Sequence, residues 1–112
     1  MELKDRKEGQ VLIVKPMGKR LDASVAVEFK EKMAKLIKEG NELIVLDLSE
    51  VDFMDSSGLG AIISSLKALG GKGELAISGI QEIVLQLFRL TRMDQIFRIF
   101  KDEKDAVSAL SK

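Results

Sequence analysis

Apolar positions along the chain fall into two patterns. One is the short continuous run, and the other is recurrence every three or four residues. Val11 to Val14 is a β-branched run that follows the turn signal Glu8, Gly9, Gln10, so it predicts a strand, paired in a hairpin with Glu2 to Lys7. The lone Pro16 suits the end of that strand. After Leu21 and Asp22, the residues Val25, Phe29, Met33, Leu36 and Ile37 recur at helical spacing, and Gly40 and Asn41 supply the stop. Leu43 to Leu48 is nearly continuous in its apolar character, as expected of a central strand covered on both faces.

Beyond Ser49 to Met54, a second helix is predicted from the stripe Leu59, Ile62, Ile63, Leu66 and Leu69, closed by Gly70 and Gly71. Glu74 to Ser78 predicts a further strand. A third helix spans about Gln81 to Leu90, with Ile83, Val84, Leu87 and Phe88 on one side. Phe97 to Phe100 can form a last strand, and Asp102 can cap a last helix holding Ala106, Val107 and Leu110. Strands separated by amphipathic helices imply right-handed crossovers and a mostly parallel sheet, which the first hairpin makes mixed. In such sheets function gathers where strand carboxyl ends meet helix amino ends, so the segment after the central strand is the place to look.

Composition narrows the chemistry. A chain of 112 residues implies one domain, residues 1–112, and with 46% apolar and 32% charged residues it reads as an ordinary globular protein. There is no Cys and no His, which removes disulfides, thiolate chemistry, the usual general base and the His-containing triads. The 18 basic residues balance the 18 acidic ones, which argues against binding to nucleic acid or to an anionic membrane. The one basic cluster, Lys15 to Arg20, is interrupted by Pro16, Met17 and Gly18 and carries no aromatic residue. No apolar run approaches the roughly 20 residues needed to span a bilayer, and Met1 to Glu8 is too charged for a signal peptide, so the expected compartment is the cytoplasm. All five aromatic residues are Phe, and Phe29, Phe53, Phe88, Phe97 and Phe100 are expected in the core.

The informative segment runs from Val51 to Gly60 and contains Asp55, Ser56, Ser57, Gly58, Leu59 and Gly60. Asp55 or Ser56 can cap the unpaired amides of the helix that begins here. Each glycine in a helix interior costs about 1 kcal/mol relative to Ala. On spacing alone, Gly58 and Gly60 either satisfy close helix packing or leave the Ser57 hydroxyl open to another molecule. Asp47, Asp52 and Asp55 could hold Mg²⁺ near a strand end, but a simple capping or solvated role accounts for them better, and no metal site is expected. Gly70, Gly71 and Gly73 follow a helix instead of opening one, so there is no phosphate loop. Serine catalysis lacks a base, since the nearest downstream lysine, Lys67, lies some three turns along the helix.

Asp55 to Gly60, preceded by the strand Leu43 to Leu48 and by Phe53 and Met54, resembles the signature of bacterial anti-sigma-factor antagonists, members of the STAS fold. Gly18 to Asp22 is similar to the early turn of that family with one extra residue before Leu21, and Leu87, Phe88 and Ile96 to Ile99 fit its tail. Lys19 and Arg20 depart from the acidic or neutral residues common there. The resemblance implies a STAS domain with a mixed, mostly parallel sheet of about five strands and about four helices. It further implies that Ser57 is phosphorylated by the anti-sigma factor, an ATP-binding serine kinase, and that a metal-dependent phosphatase of the PPM type reverses the mark. The unphosphorylated form would bind the anti-sigma factor and release the sigma factor.

On this reading the chain is a switch and not an enzyme, with no cofactor. The implied docking surface comprises Asp22, Met54, Asp55, Ser56, Ser57, Gly58, Leu59 and Gly60. Ser56 is expected as a cap, and Leu59 and Met54 are divided between docking and core packing. Phosphorylation is expected to change affinity with little change of conformation, because a helix amino end tolerates an anion. Two rivals stand beside this reading: a STAS module binding within another signalling or transport complex, and a small flavodoxin-like enzyme or nucleotide-binding domain.

Overall fold

A computed structural model describes all 112 residues. The chain begins with the antiparallel hairpin β1 (Leu3–Glu8) and β2 (Val11–Pro16), turned at Gly9 with φ of 61°. It continues through the short β3 (Arg20–Leu21), α1 (Ala26–Lys38), β4 (Leu43–Asp47), the short β5 (Phe53–Met54) and α2 (Ser56–Ala68). β6 (Glu74–Ser78), α3 (Glu82–Leu90), a 3-10 turn at Met93–Gln95, β7 (Ile99–Phe100) and α4 (Glu103–Leu110) complete it. The main sheet has the order β1-β2-β4-β6-β7, parallel from β2 onward, so β4 is central as its apolar run requires.

The alternation of side chains in β2, β4 and β6 divides the molecule into two layers. Leu12, Val14, Ile44, Leu46, Leu75 and Ile77 meet α1, α2 and α3 through Phe29, Met33, Leu59, Ile62, Val84 and Phe88. Val11, Ile13, Val45 and Ala76 point the other way, onto Ala106 and Leu110 of α4. The hairpin, three crossover helices and four of the main strands therefore follow the apolar pattern closely.

Three expectations need correction, and one strand pairing was not anticipated. β3 and β5 pair in parallel as a separate two-stranded sheet, Arg20 opposite Phe53 and Leu21 opposite Met54, and two-residue strands leave no periodic signal. The last strand is only Ile99–Phe100, because the chain turns through Arg92 at φ of 62° and the 3-10 turn first. Phe97 instead enters the core against Phe88, with ring centroids 6.0 Å apart. Ile83 lies on the outer flank of α3 and is exposed, and Phe53 is also outside the core, with the Arg20 guanidinium 4.1 Å from its ring centroid.

Beneath α4, Asp47 accepts from the Ser49 amide at 2.8 Å. Burial opposes its charge, yet hydrogen bonds from Glu103 and Ser49 hold its carboxyl below the usual range. Glu103 is pushed up, first by Asp47 and then by burial. Next to Asp47 in the register, Ser78 is fully buried and its hydroxyl has no partner. An unpaired buried hydroxyl costs more than it returns. Ser78→Ala should therefore raise stability by about 1 kcal/mol in denaturant unfolding. A loss of stability would show that the hydroxyl is satisfied.

Candidate functional site

The start of α2 is built by the small β3–β5 sheet. The amides of Asp52 and Phe53 both donate to the Lys19 carbonyl, at 2.8 and 3.2 Å, which ties the approach to α1 beside the approach to α2. Asp55 then joins the two. One carboxylate oxygen accepts from the Gly58 amide at 3.0 Å, capping α2, and the other accepts from the Ala23 amide at 3.1 Å, holding the entry to α1. Asp55 is the cap, and Ser56 is the first helical residue with its side chain exposed, which corrects the expected capping role of Ser56. Of the first turn's four free amides, those of Ser56 and Ser57 remain outside this cap.

Ser57 is exposed one residue into α2. The two glycines that follow serve different purposes. A Cβ on Gly58 would lie 2.0 Å from the Leu21 carbonyl oxygen, so only glycine lets α2 seat against β3. A Cβ on Gly60 would meet nothing within 4 Å, and Gly60 opens instead onto a shallow groove between α1 and α2 that Ser57 also lines. Both purposes considered from spacing are thus present, one at each glycine.

Met54 and Leu59 are 8% and 4% exposed and belong to the main core, so they support the surface from beneath. Gly58 is likewise buried. Asp55, Ser56, Ser57 and Gly60 stand together at the surface. Asp22 lies at the same end, where it accepts from Ser24 Oγ at 2.5 Å, from the Ser24 amide at 3.1 Å and from Arg20 Nε at 3.0 Å. The Ser24 hydroxyl, then the Arg20 guanidinium, hold the Asp22 carboxyl below its ordinary range. Ser65 is turned inward and donates to the Ala61 carbonyl at 3.0 Å.

The carboxylates weighed as an Mg²⁺ site do not converge. Asp47 faces α4, Asp55 is engaged by two backbone amides, and no group of three metal-ligating side chains assembles anywhere in the chain. No helix is long and apolar enough to cross a membrane. Sequence reasoning missed Val27, which is 67% exposed on α1, and Lys30, both of which line the groove beside Ser57. Val27 sits next to the core residue Ala26 in the amphipathic pattern, so only the crossing of α1 over α2 reveals that it flanks the serine.

The architecture defines an α/β domain with three crossover helices on one face of a mixed sheet, one helix on the other, and an exposed serine at the start of the second crossover helix. The chain belongs to the STAS domain family, whose pattern matches residues 2–106. An anti-sigma-B factor antagonist of Staphylococcus aureus is 31% identical over 84 residues, 74% of this chain and 78% of that protein. A Thermotoga maritima crystal structure, described provisionally as an anti-sigma factor antagonist, is 27% identical with a TM-score of 0.92, covering 98% of this chain and 95% of that one. An anti-sigma factor antagonist from Mycobacterium paratuberculosis shares the fold at a TM-score of 0.90 and 21% identity, over 99% and 94% of the two chains.

The glycine pair yields opposed expectations. Gly58→Ala should destabilise the protein by about 3 kcal/mol, since backbone must move to admit the methyl group. Gly60→Ala should stabilise it by roughly 0.5–1 kcal/mol through helix propensity alone. Urea unfolding of both variants checks the pair, and a destabilising Gly60→Ala would mean that this position is packed.

Proposed function

We propose that this chain is an anti-sigma factor antagonist whose docking to an anti-sigma factor is governed by phosphorylation of Ser57. The observation that carries the proposal is the exposed Ser57 hydroxyl at a rigidly capped helix start, beside a glycine that no packing demand explains. The likeness to the staphylococcal antagonist supports the same reading. STAS proteins of this kind are non-enzymatic regulators, so the chemistry belongs to the partners: an anti-sigma serine kinase and a PPM-type phosphatase. In the forward step the γ-phosphoryl group of ATP passes to Ser57 Oγ, the hydroxyl proton is lost and ADP leaves. Hydrolysis of the new P–O bond restores the hydroxyl and releases phosphate.

The local physics suits such a switch. Phosphorylation adds about −1.5 to −2 charges, and the free amides of Ser56 and Ser57 at the positive helix end tolerate them. The fold therefore survives the mark. A partner surface matched to a neutral hydroxyl meets instead a bulky dianion beside Asp55, and desolvating that dianion without a partner cation opposes docking. Ser56, Ser57 and Gly60 make up the exposed part of the proposed contact surface, with Asp22 and Asp55 half-buried at its edge, while Met54, Gly58 and Leu59 hold it in place from below. Residues 1–112 act in this reading as one STAS domain in the cytoplasm, with no nucleic acid, membrane or cofactor involved.

The test is incubation with ATP and the anti-sigma kinases encoded in the same genome, followed by intact-mass and fragment-ion mapping. One phosphate is expected on Ser57, lost in Ser57→Ala and kept in Ser56→Ala. Ser57→Asp should weaken binding to the same anti-sigma factor by at least about tenfold, or 1.4 kcal/mol. A folded protein that accepts no phosphate and binds no anti-sigma factor would instead be a STAS binding module of another signalling or transport complex.

A further inference from the structure

α1 and α2 cross so that Val27 and Lys30 of one helix face Ser57, Gly60, Ala61 and Ser64 of the other across a shallow open groove. The spacing is that of two helix faces, one turn on α1 and two on α2. The floor is made of small residues, and Gly60 carries no side chain to stand between Lys30 and Ser57. Lys30 is exposed and joins none of the chain's ion pairs. Its neighbour Glu28 is engaged by the Met1 amino group and by Lys32, and Glu31 does not line the groove. An unpaired cation thus shares a groove with the serine proposed to become a dianion.

We propose that Lys30 is the countercharge of phosphorylated Ser57, drawing the phosphoryl group down into the α1–α2 groove. The inference rests on the reading of Ser57 as a phosphoacceptor and adds to it a mechanism. The mark would neutralise Lys30, cover Val27 and fill the space above Gly60, so the groove is closed to a partner as well as charged against it. An ammonium facing a phosphate gives a charge-assisted hydrogen bond, the stronger kind. At an exposed site it remains sensitive to salt.

Other charges near Ser57 set the sign of the expected effect. Asp55 faces it from the helix cap, with both oxygens held by backbone amides, and favours the monoanion. Asp22 is tied to Arg20 and Ser24, and Arg20 is further placed over Phe53. Lys30 is left as the free cation in the groove, and it favours the dianion. The second ionisation of phosphoserine, ordinarily near pH 6, should therefore be lowered by Lys30 and rise when Lys30 is removed.

The experiment places phosphoserine at position 57 during translation, so no kinase is needed, and follows its ³¹P signal through a pH titration. Lys30→Gln should raise the second pKa by at least about 0.5 unit relative to the parent, and Lys30→Arg should restore it. The difference should shrink in 1 M salt. Lys38→Gln, at the far end of the same helix, controls for net charge. Equal titration of parent and Lys30→Gln, or equal shifts in the Lys30 and Lys38 variants, would overturn the proposal. Because the mark is installed directly, this result is independent of the kinase assay. Failure of that assay removes the phosphoacceptor reading, while failure here removes only the role of Lys30.

Discussion

Close approach of the α2 backbone to the β3 backbone is the constraint on which the serine end depends. At Gly58 the gap to the Leu21 carbonyl leaves no room for a methyl group, so the start of α2 is seated on the two-residue strand that leads into α1. Asp55 completes the seat by binding one amide from each helix approach, Gly58 and Ala23. Two helices that the chain separates by some thirty residues are thus fixed relative to each other at their amino ends. The orientation of Ser57, the crossing of α1 over α2 and the groove between them all follow from that junction.

The rest of the domain supplies rigidity to it. Leu21, Met54 and Leu59 run from the junction directly into the main core, where Phe29, Ile62 and Leu46 are fully buried. Interiors of this kind transmit displacement poorly by gradual deformation, so a switch that works by moving the sheet would have to break packing. A switch that works by surface charge needs no such movement. The second face of the sheet, where Asp47 and Glu103 lie at the α4 end of a cleft, is separated from Ser57 by the sheet itself.

Most of the architecture was legible because it is written in periodicity. The hairpin, the central strand, β6 and all four helices lie where the apolar spacing placed them, since each buries a face or a stripe long enough to repeat. The features that were not legible are those too short to repeat or set by crossing geometry. β3 and β5 have two residues each, and their pairing follows from the tertiary position of Lys19. Phe53 was assigned to the core by residue type, and a nearby arginine offered it a different partner. At the site, the identity of the capping pair was legible and the choice between Asp55 and Ser56 was not, because both residue types cap helices and only the backbone register decides. Val27 and Lys30 were invisible for a stronger reason: nothing local to α1 says what lies across from it.

Gly60 shows how stability and function separate within three residues. Gly58 and Gly60 are indistinguishable by composition, and both sit in the first turns of one helix. Removing the first glycine creates a backbone collision, while replacing the second creates no contact at all. A glycine in an exposed helical position lowers stability without structural return, and natural domains lie close enough to their stability threshold for such losses to matter. What the bare position does provide is an unobstructed floor between the Ser57 hydroxyl on α2 and the Val27 and Lys30 side chains on α1. In the proposed switch the same floor would serve two states: it would admit an approaching partner when the hydroxyl is free, and give the phosphoryl group somewhere to lie when it is not. On that proposal, a single omitted methyl group would let one small groove act as both the docking surface and the place where docking is prevented.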